Sequence, residues 1–438
     1  MPSFASVRSQ VVCLWLCVAL VCACSTQVER ATPSAPASST PSAPPGKSNT
    51  SRGVADSEAF YASQQRFLRP IPASPVPSGL NDVRSETCGE CHEAIYSEWT
   101  ESTHAHAWTD DAQFMAELRK SERQGVDWMC INCHTPVTTQ LEQLVVGLEG
   151  GRKDRPIRIQ NPDFDPRMQD DAIGCAACHV RDGVILGPFG DTEAPHATRK
   201  APELLTPAVC TECHQANAYF EELELACAFD TGAEFAASPY ARDGKTCQSC
   251  HMPSVERPLM EGMPPRKTRR HFFGGSLIPK APAYASTVDA FSAFYSHGLT
   301  LSWDDLPTSL DAGPQRLVAR YVNATAGHKL PTGDPERWIT VRATVETATG
   351  VVLASAEERI GAVYQWWPSV EKLSDNRLLP KESRQLVLEF HAPPGPLSLR
   401  LYAEKGRLSP DVMAFHQLEG KVVPKIVFVD DRSPLLVR

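Results

Sequence analysis

Two regimes of hydrophobic patterning divide the chain. Beyond about Ser286, apolar and polar residues alternate with period two, as in Trp338-Ile339-Thr340-Val341-Arg342-Ala343-Thr344-Val345 and Leu397-Ser398-Leu399-Arg400-Leu401-Tyr402. Such alternation predicts strands buried on one face. Arg316 to Val322, Val351 to Ile360, Arg384 to Phe390 and Lys421 to Val429 read as further strands between Pro, Gly and Asp turns. Together they predict an antiparallel, Ig-like β-sandwich over 286–438. Leu386, Leu388 and Phe390 form its inward face there, which turns His391 outward. Trp366 and Trp367 read either as an exposed docking patch or as core residues, the core being the commoner fate because tryptophan is highly buried on average.

Between Val83 and Met252 the pattern is different. There are only short amphipathic stretches, such as Ala112 to Lys120 and Ala216 to Ala226. These carry too few apolar residues to close a conventional core of that length, so another apolar body must fill it. The expectation is an α+β protein: a loop-rich, mainly helical domain over 78–285, followed by the β-sandwich.

The first 24 residues have the pattern of an export signal. A short region with one arginine, Met1 to Arg8, precedes an apolar run from Val11 to Ala23. That run is shorter than the roughly 20 residues needed to cross a bilayer and has the length of a signal-peptide core. It ends in Val21-Cys22-Ala23-Cys24, similar to a bacterial lipobox, with Cys24 as the lipidated residue. Ordinary cleavage or a short uncleaved anchor are the alternatives. Ser25 after the cysteine resembles lipoproteins of the outer membrane. From Ser25 to about Pro77 the chain is rich in Pro, Ser, Ala and Thr, a composition that cannot offset the entropy of ordering. Residues 25–77 are therefore expected to be a disordered tether, with a short helix from Phe60 to Phe67 at its far end.

Cysteine carries the chemistry. Of 15 cysteines, four lie in the first segment and Cys227 stands alone, read as a buried thiol. The other ten form five identical pairs, each closed by histidine: Cys88, Cys91, His92; Cys130, Cys133, His134; Cys175, Cys178, His179; Cys210, Cys213, His214; and Cys247, Cys250, His251. Two thiols at this spacing add across the vinyl groups of a haem, and the adjoining histidine becomes the proximal iron ligand. One Cys-x-x-Cys pair is weak evidence, since zinc sites and redox dithiols share it. Zinc would need the pairs to combine in fours, which leaves the fifth over and the histidines unexplained. The expectation is five covalently bound haem c groups, whose macrocycles also supply the missing core. Thioether attachment outside the cytoplasm agrees with the export signal. The formal net charge of −9 lacks the basic stripe that would point to nucleic acid. The short run Arg266-Lys267-Thr268-Arg269-Arg270 reads as a solvated or propionate-pairing loop.

Eight histidines lie outside these motifs. His104 and His106 follow Tyr96, Trp99 and Ser102; His196 follows Ala194-Pro195; His271 opens His271-Phe272-Phe273-Gly274-Gly275; and His328 lies in Gly327-His328-Lys329-Leu330-Pro331-Thr332-Gly333. In these segments, and in Cys247 to Pro253, the chain resembles the multihaem cytochromes c related to hydroxylamine oxidoreductase and to the tetrahaem cytochrome c of ammonia oxidisers. The resemblance runs from about Val83 to about Thr347. In similar proteins such segments supply the distal histidine of a haem attached elsewhere. By that resemblance and by haem demand, His104, His196, His271 and His328 are the first distal candidates, with His106 and His297 behind them. His391 and His416 lack supporting context, and methionines such as Met252 read as packing residues. The glycines Gly327, Gly274 and Gly275 are expected to let backbone approach a flat macrocycle. Five haems and a C-terminal extension match neither relative, so their activities do not transfer.

The functional expectation is an electron carrier on the periplasmic side, lipid-anchored to the outer membrane, exchanging electrons with a donor and an acceptor protein. The alternative is an oxidoreductase in which one haem keeps an open face for a small nitrogen or sulfur compound. All five motifs end in histidine, and the lysine-containing catalytic motif of ammonifying nitrite reductases is absent.

Overall fold

In the computed structural model, residues 47–190, 193–220, 225–366 and 369–438 are described. The apolar leader, Cys24 and Trp367 lie outside the described residues, as does the side chain of Cys227.

Helices and strands are both well represented, consistent with the α+β class. The C-terminal part folds as the alternation requires. Its longer strands are β1 (Leu299–Trp303), β2 (Gly313–Asn323), β3 (Trp338–Thr347), β4 (Val352–Gln365), β5 (Glu371–Asp375), β6 (Ser383–Ala392), β7 (Gly395–Gly406) and β8 (Lys425–Val437). One sheet has the order β1-β2-β6; the other runs from Ser309–Leu310 through β8, β7, β3 and β4 to β5. Pairing is antiparallel except between Ser309–Leu310 and β8. Inward residues of both sheets make one core that includes Leu317, Tyr321, Ile339, Val341, Val345, Leu386, Leu388, Leu399 and Leu401. Each leucine fully buried there contributes about 1.5–3 kcal/mol of transfer free energy. His391 faces solvent. Trp366 departs from the core expectation: it is exposed, stacked on Tyr364 with ring centres 5.2 Å apart, and donates to Glu336 at 2.8 Å. The last turn of β4 runs past the edge of the core, so the indole finds a neighbouring ring instead of a buried slot.

The N-terminal part is built from short pieces. Lys47–Ala62 is helical, which places ordered structure inside the segment expected as a tether. The reason lies elsewhere in the chain: Tyr61, Phe67 and Leu68 pack on Val126, Trp128 and Val145, an apolar partner the segment cannot supply itself. Ala112–Arg123 forms the expected amphipathic helix, capped by Asp111, whose carboxylate accepts from Phe114 N. The stretch from Ala216 pairs as two strands, Ala216–Phe220 and Leu225–Phe229, the second holding Cys227. Residues Lys47–Arg438 form one compact unit. Among the described residues no helix is long and apolar enough to cross a membrane.

Candidate haem sites

Each attachment motif includes a helical turn. Trp128–His134, Cys175–His179 and Cys247–His251 contain theirs entirely; Ser85–Gly89 and Ala208–Thr211 carry the first cysteine of the other two. One turn puts the two sulfurs and the histidine along one edge. All ten motif cysteines are unbridged, and no group of three or more metal-binding side chains occurs among the described residues.

The sites are adjacent to one another. Sulfurs of Cys88 and Cys175 are in hydrogen-bonding contact, as are those of Cys210 and Cys247 and those of Cys133 and Cys213; in the mature protein these atoms would be thioethers. Cys178 lies close enough to Cys213 to feel its charge. The backbone supports the first contact, with Cys175 N donating to Ser85 Oγ at 3.0 Å and Ser85 N to Asp171 at 2.6 Å. All five motifs thus form one connected set, with the fourth at the junction.

Histidines meet in pairs. The ring centres of His92 and His196 stand 6.5 Å apart, His214 and His104 6.3 Å, His179 and His271 6.3 Å, and His251 and His328 6.2 Å. With a metal–nitrogen bond of about 2.0 Å and roughly 1.1 Å from ring nitrogen to ring centre, two imidazoles on opposite sides of one metal stand about 6.2 Å apart. Five of the eight hold their outer nitrogen for this geometry, while the buried Nδ1 of His196 has no partner. Nδ1 donates to a backbone carbonyl in His92 (Leu259, 3.0 Å), His179 (Leu186, 2.8 Å), His251 (Gly274, 2.6 Å), His271 (Arg269, 2.9 Å) and His328 (Lys329, 2.8 Å). Such a bond fixes the tautomer and leaves Nε2 free for a metal. Burial pushes His104 and His271 down to about 3, and His214 and His328 to about 4, so these imidazoles stay in the neutral, ligating form.

His134 is arranged differently. Its Nδ1 donates to Ala107 at 2.5 Å, and among the described residues its ring contact is with Phe114, not with a second histidine. Its ring lies flat against Phe114, centres 3.4 Å apart and planes 6° apart. A parallel ring at that distance overlaps the space of a macrocycle edge, so a haem fits here once Phe114 turns aside. Of the runner-up candidates, His297 is committed elsewhere, whereas His106 keeps a buried Nε2 without a partner. His106 gives Nδ1 to Asp110 at 2.8 Å and stacks on Tyr284 at 3.9 Å. It also lies next to Ala107, whose carbonyl holds the back of His134. His297 accepts from Lys405 at 2.8 Å and stacks on Phe428. His416 pairs with Glu117 at 2.6 Å.

Two glycines position these groups, each for a specific reason. Gly79 has φ +94°, and a Cβ there would lie 2.0 Å from the carbonyl oxygen of Pro195, so its bareness lets the Pro195-His196 segment approach. A Cβ on Gly274 would lie 2.4 Å from the Tyr295 ring. Gly274 packs under this tyrosine with its carbonyl aimed at His251. Gly274→Ala is expected to displace that carbonyl and broaden the distribution of His251 ring orientations, read as a wider low-spin electron paramagnetic resonance signal from one haem.

Sequence reasoning missed the charged residues that hold the sites. Glu98, 5% exposed, accepts from Arg257 at 3.0 Å, Arg270 at 2.7 Å and the backbone N of His271 at 2.9 Å. Within the basic run, Arg269 donates to the carbonyls of Gln248 and Met252, and Arg270 lies 3.7 Å over Phe294. The run is thus structural and half-buried. Glu98 sits one residue before Trp99 in the resemblance segment, and a carboxylate there facing no local cation was the available signal.

Comparison with known proteins gives a consistent picture. The family model described as cytochrome c554 and c-prime matches residues 87–154. The crystal structure of a penta-heme cytochrome c552 from Thermochromatium tepidum is similar over 81% of this chain and 99% of its own, with 18% identity and a TM-score of 0.55. Family model and fold together support a multihaem cytochrome c. The matched residues 87–154 include the first two attachment motifs. A β-glucosidase 3B from Thermotoga neapolitana matches 32% of this chain and 17% of its own at 16% identity, with a TM-score of 0.14, too low to bear on the fold. No curated protein matches the sequence.

Proposed function

We propose that this cytochrome is an exported, five-haem electron carrier, held through Cys24 on the periplasmic side of the outer membrane and passing electrons between a donor and an acceptor protein. The observation that carries the reading is the set of four histidine pairs at 6.2–6.5 Å, each joining a motif histidine to one from a distant part of the chain. In this reading His196, His104, His271 and His328 cap the haems of the first, fourth, third and fifth motifs. Two histidines per iron favour low potentials and a low-spin state, which suits electron transfer. The contacts among motif cysteines support a continuous path, from the first motif through the third to the fourth and from there to the second and fifth.

One observation favours a second reading alongside it. Among the described residues His134 is paired with Phe114 and not with a histidine, which supports a second-motif haem with one face left for a small nitrogen or sulfur compound. The carrier would then end in a reactive haem fed by the other four.

Purified mature protein is expected to contain five haems per chain by pyridine haemochrome assay and intact mass. On reduction and exposure to carbon monoxide, one haem in five is expected to form an adduct. Adducts at two or more haems would contradict the four pairs. Complete insensitivity would remove the open-face reading and leave the carrier alone.

A further inference from the structure

In the paired-histidine reading four sites share one ligation, so their potentials must be set apart by what surrounds them. Between the fourth and fifth sites lies a cavity where the haem region meets the β part. One wall follows His214: Gln215, the next residue, donates to Asp230 at 2.6 Å, and Asp230 lines the cavity. Another follows His328, with Lys329, Gly333, Asp334 and Arg337 of that loop. Arg337 N donates to the Asp334 carbonyl at 3.1 Å, and the side chain lies back over Gly333, its guanidinium carbon 3.6 Å from where a Cβ would be.

The cations here are not equally committed. Lys329, Lys372 and Arg377 line the cavity and turn to Asp375, at 3.2, 3.9 and 2.7 Å. Lys280 and Arg407, within reach of the Arg337 charge, share Asp111, with Arg407 at 3.1 Å. Among the described residues Arg337 makes no ion pair, and its buried Nε has no partner. Burial disfavours its charge, and Asp334 and Asp111 offset this only from a distance. A guanidinium in that state is costly until an anion meets it. Its planar fork suits a carboxylate, and propionates are the carboxylates that a haem brings. The Arg337 charge also reaches His214 and His328, one ligand of each neighbouring site.

We propose that Arg337 is a positioning residue that receives a haem propionate in this cavity and raises the midpoint potentials of the fourth- and fifth-motif haems above those that two histidines alone would give. The proposal rests on the paired-histidine reading and goes further, because it names what separates sites of equal ligation. A cation held in a buried site favours the reduced iron, which carries one positive charge fewer. Electrons entering at the first motif are thereby drawn to the junction of the path.

The test is a redox titration of the mature holoprotein followed optically, with electron paramagnetic resonance on the same samples. Arg337→Gln is expected to lower the potentials of two haems, each by about a tenfold change in the reduction equilibrium, or about 59 mV for one electron, while the others stay within about twofold. Arg337→Lys keeps the charge and is expected to return at least half of the shift. The low-spin signals are expected to persist in both variants. Unmoved potentials with intact low-spin signals, or an equal fall at every haem, would overturn the proposal. So would Arg337→Lys falling as low as Arg337→Gln. Loss of the low-spin signals in both variants would make Arg337 a residue of the fold alone and overturn it too. Fewer than four low-spin haems in the unaltered protein would instead remove the paired-histidine reading, and this proposal with it.

Discussion

Replacing His328 with alanine is expected to convert one low-spin haem into a high-spin one and to add a second carbon monoxide adduct to that at His134. The imidazole stands 6.2 Å from His251 with nearly parallel rings, 16° apart. It is held there on a loop between β2 and β3, where fully buried Asn323 donates to the His328 carbonyl at 3.0 Å. Nothing else on that loop can replace the nitrogen, because Lys329 is turned to Asp375 at 3.2 Å and Leu330 pairs with Leu378. The fold should survive the change. The β part remains joined to the haem region by Tyr240 donating to Ala324 at 2.7 Å, Thr332 to Glu234 at 2.6 Å, and Arg377 to Glu234 at 2.8 Å. His328→Met separates ligand loss from ligand change. It is expected to stay low-spin while raising the midpoint potential of that haem, since a histidine–methionine pair favours the reduced iron more than two histidines do. Electron paramagnetic resonance and a redox titration read both outcomes. An unchanged spin state in His328→Ala would remove His328 from the ligand set.

The second large effect is expected at Glu98. Its carboxylate is the meeting point of two arginines and the backbone of His271, nearly without solvent access. Removing one partner of a buried ion pair leaves the others uncompensated, at a cost of about 3–5 kcal/mol. Glu98→Ala strands both Arg257 and Arg270 and is expected to fall in that range, measured as a shift in the denaturant midpoint. It should also carry a signature that a purely structural loss elsewhere would not. Glu98 sits on the helix Glu93–Thr100, directly after the first attachment motif, while His271 faces His179 of the third. The haem on Cys175 and Cys178 should therefore broaden in its low-spin signal, with the others unmoved. Glu98→Gln keeps the acceptor for His271 and should preserve that signal while still losing stability. Equal broadening at every haem would show that Glu98 supports the fold alone.

Much of the architecture could be read from patterning. Most long strands of the β part overlap the alternating runs because a period of two is forced on any strand with one buried face. Arg316 to Val322 falls inside Gly313–Asn323, but Lys421 to Val429 starts four residues before β8, which runs on to Val437, and β1 and β5 have no counterpart among the runs. The N-terminal part was harder. Lys47–Ala62 has no apolar stripe of its own and is ordered by what Tyr61 and its neighbours pack against. The stretch from Ala216 forms a strand pair whose register depends on its partner. Trp366 ended exposed because it lies just past the end of β4, and that position, not its residue type, governs its burial.

The attachment chemistry was local and so was legible: thiol, thiol and histidine lie within five residues, and a single helical turn is enough to align them. What the chain could not express in one dimension is which histidine faces which. His104 and His106 share a segment, yet one stands opposite His214 and the other stacks on Tyr284. Those pairings span tens of residues and are set by packing between elements that have no local preference for each other. The same holds for the charges around Asp111, drawn from four separate segments. Covalent capacity was written in the spacing of cysteines and histidines; which ring stands beside each motif histidine, a second imidazole or, at His134, Phe114, was decided only when the chain folded on itself.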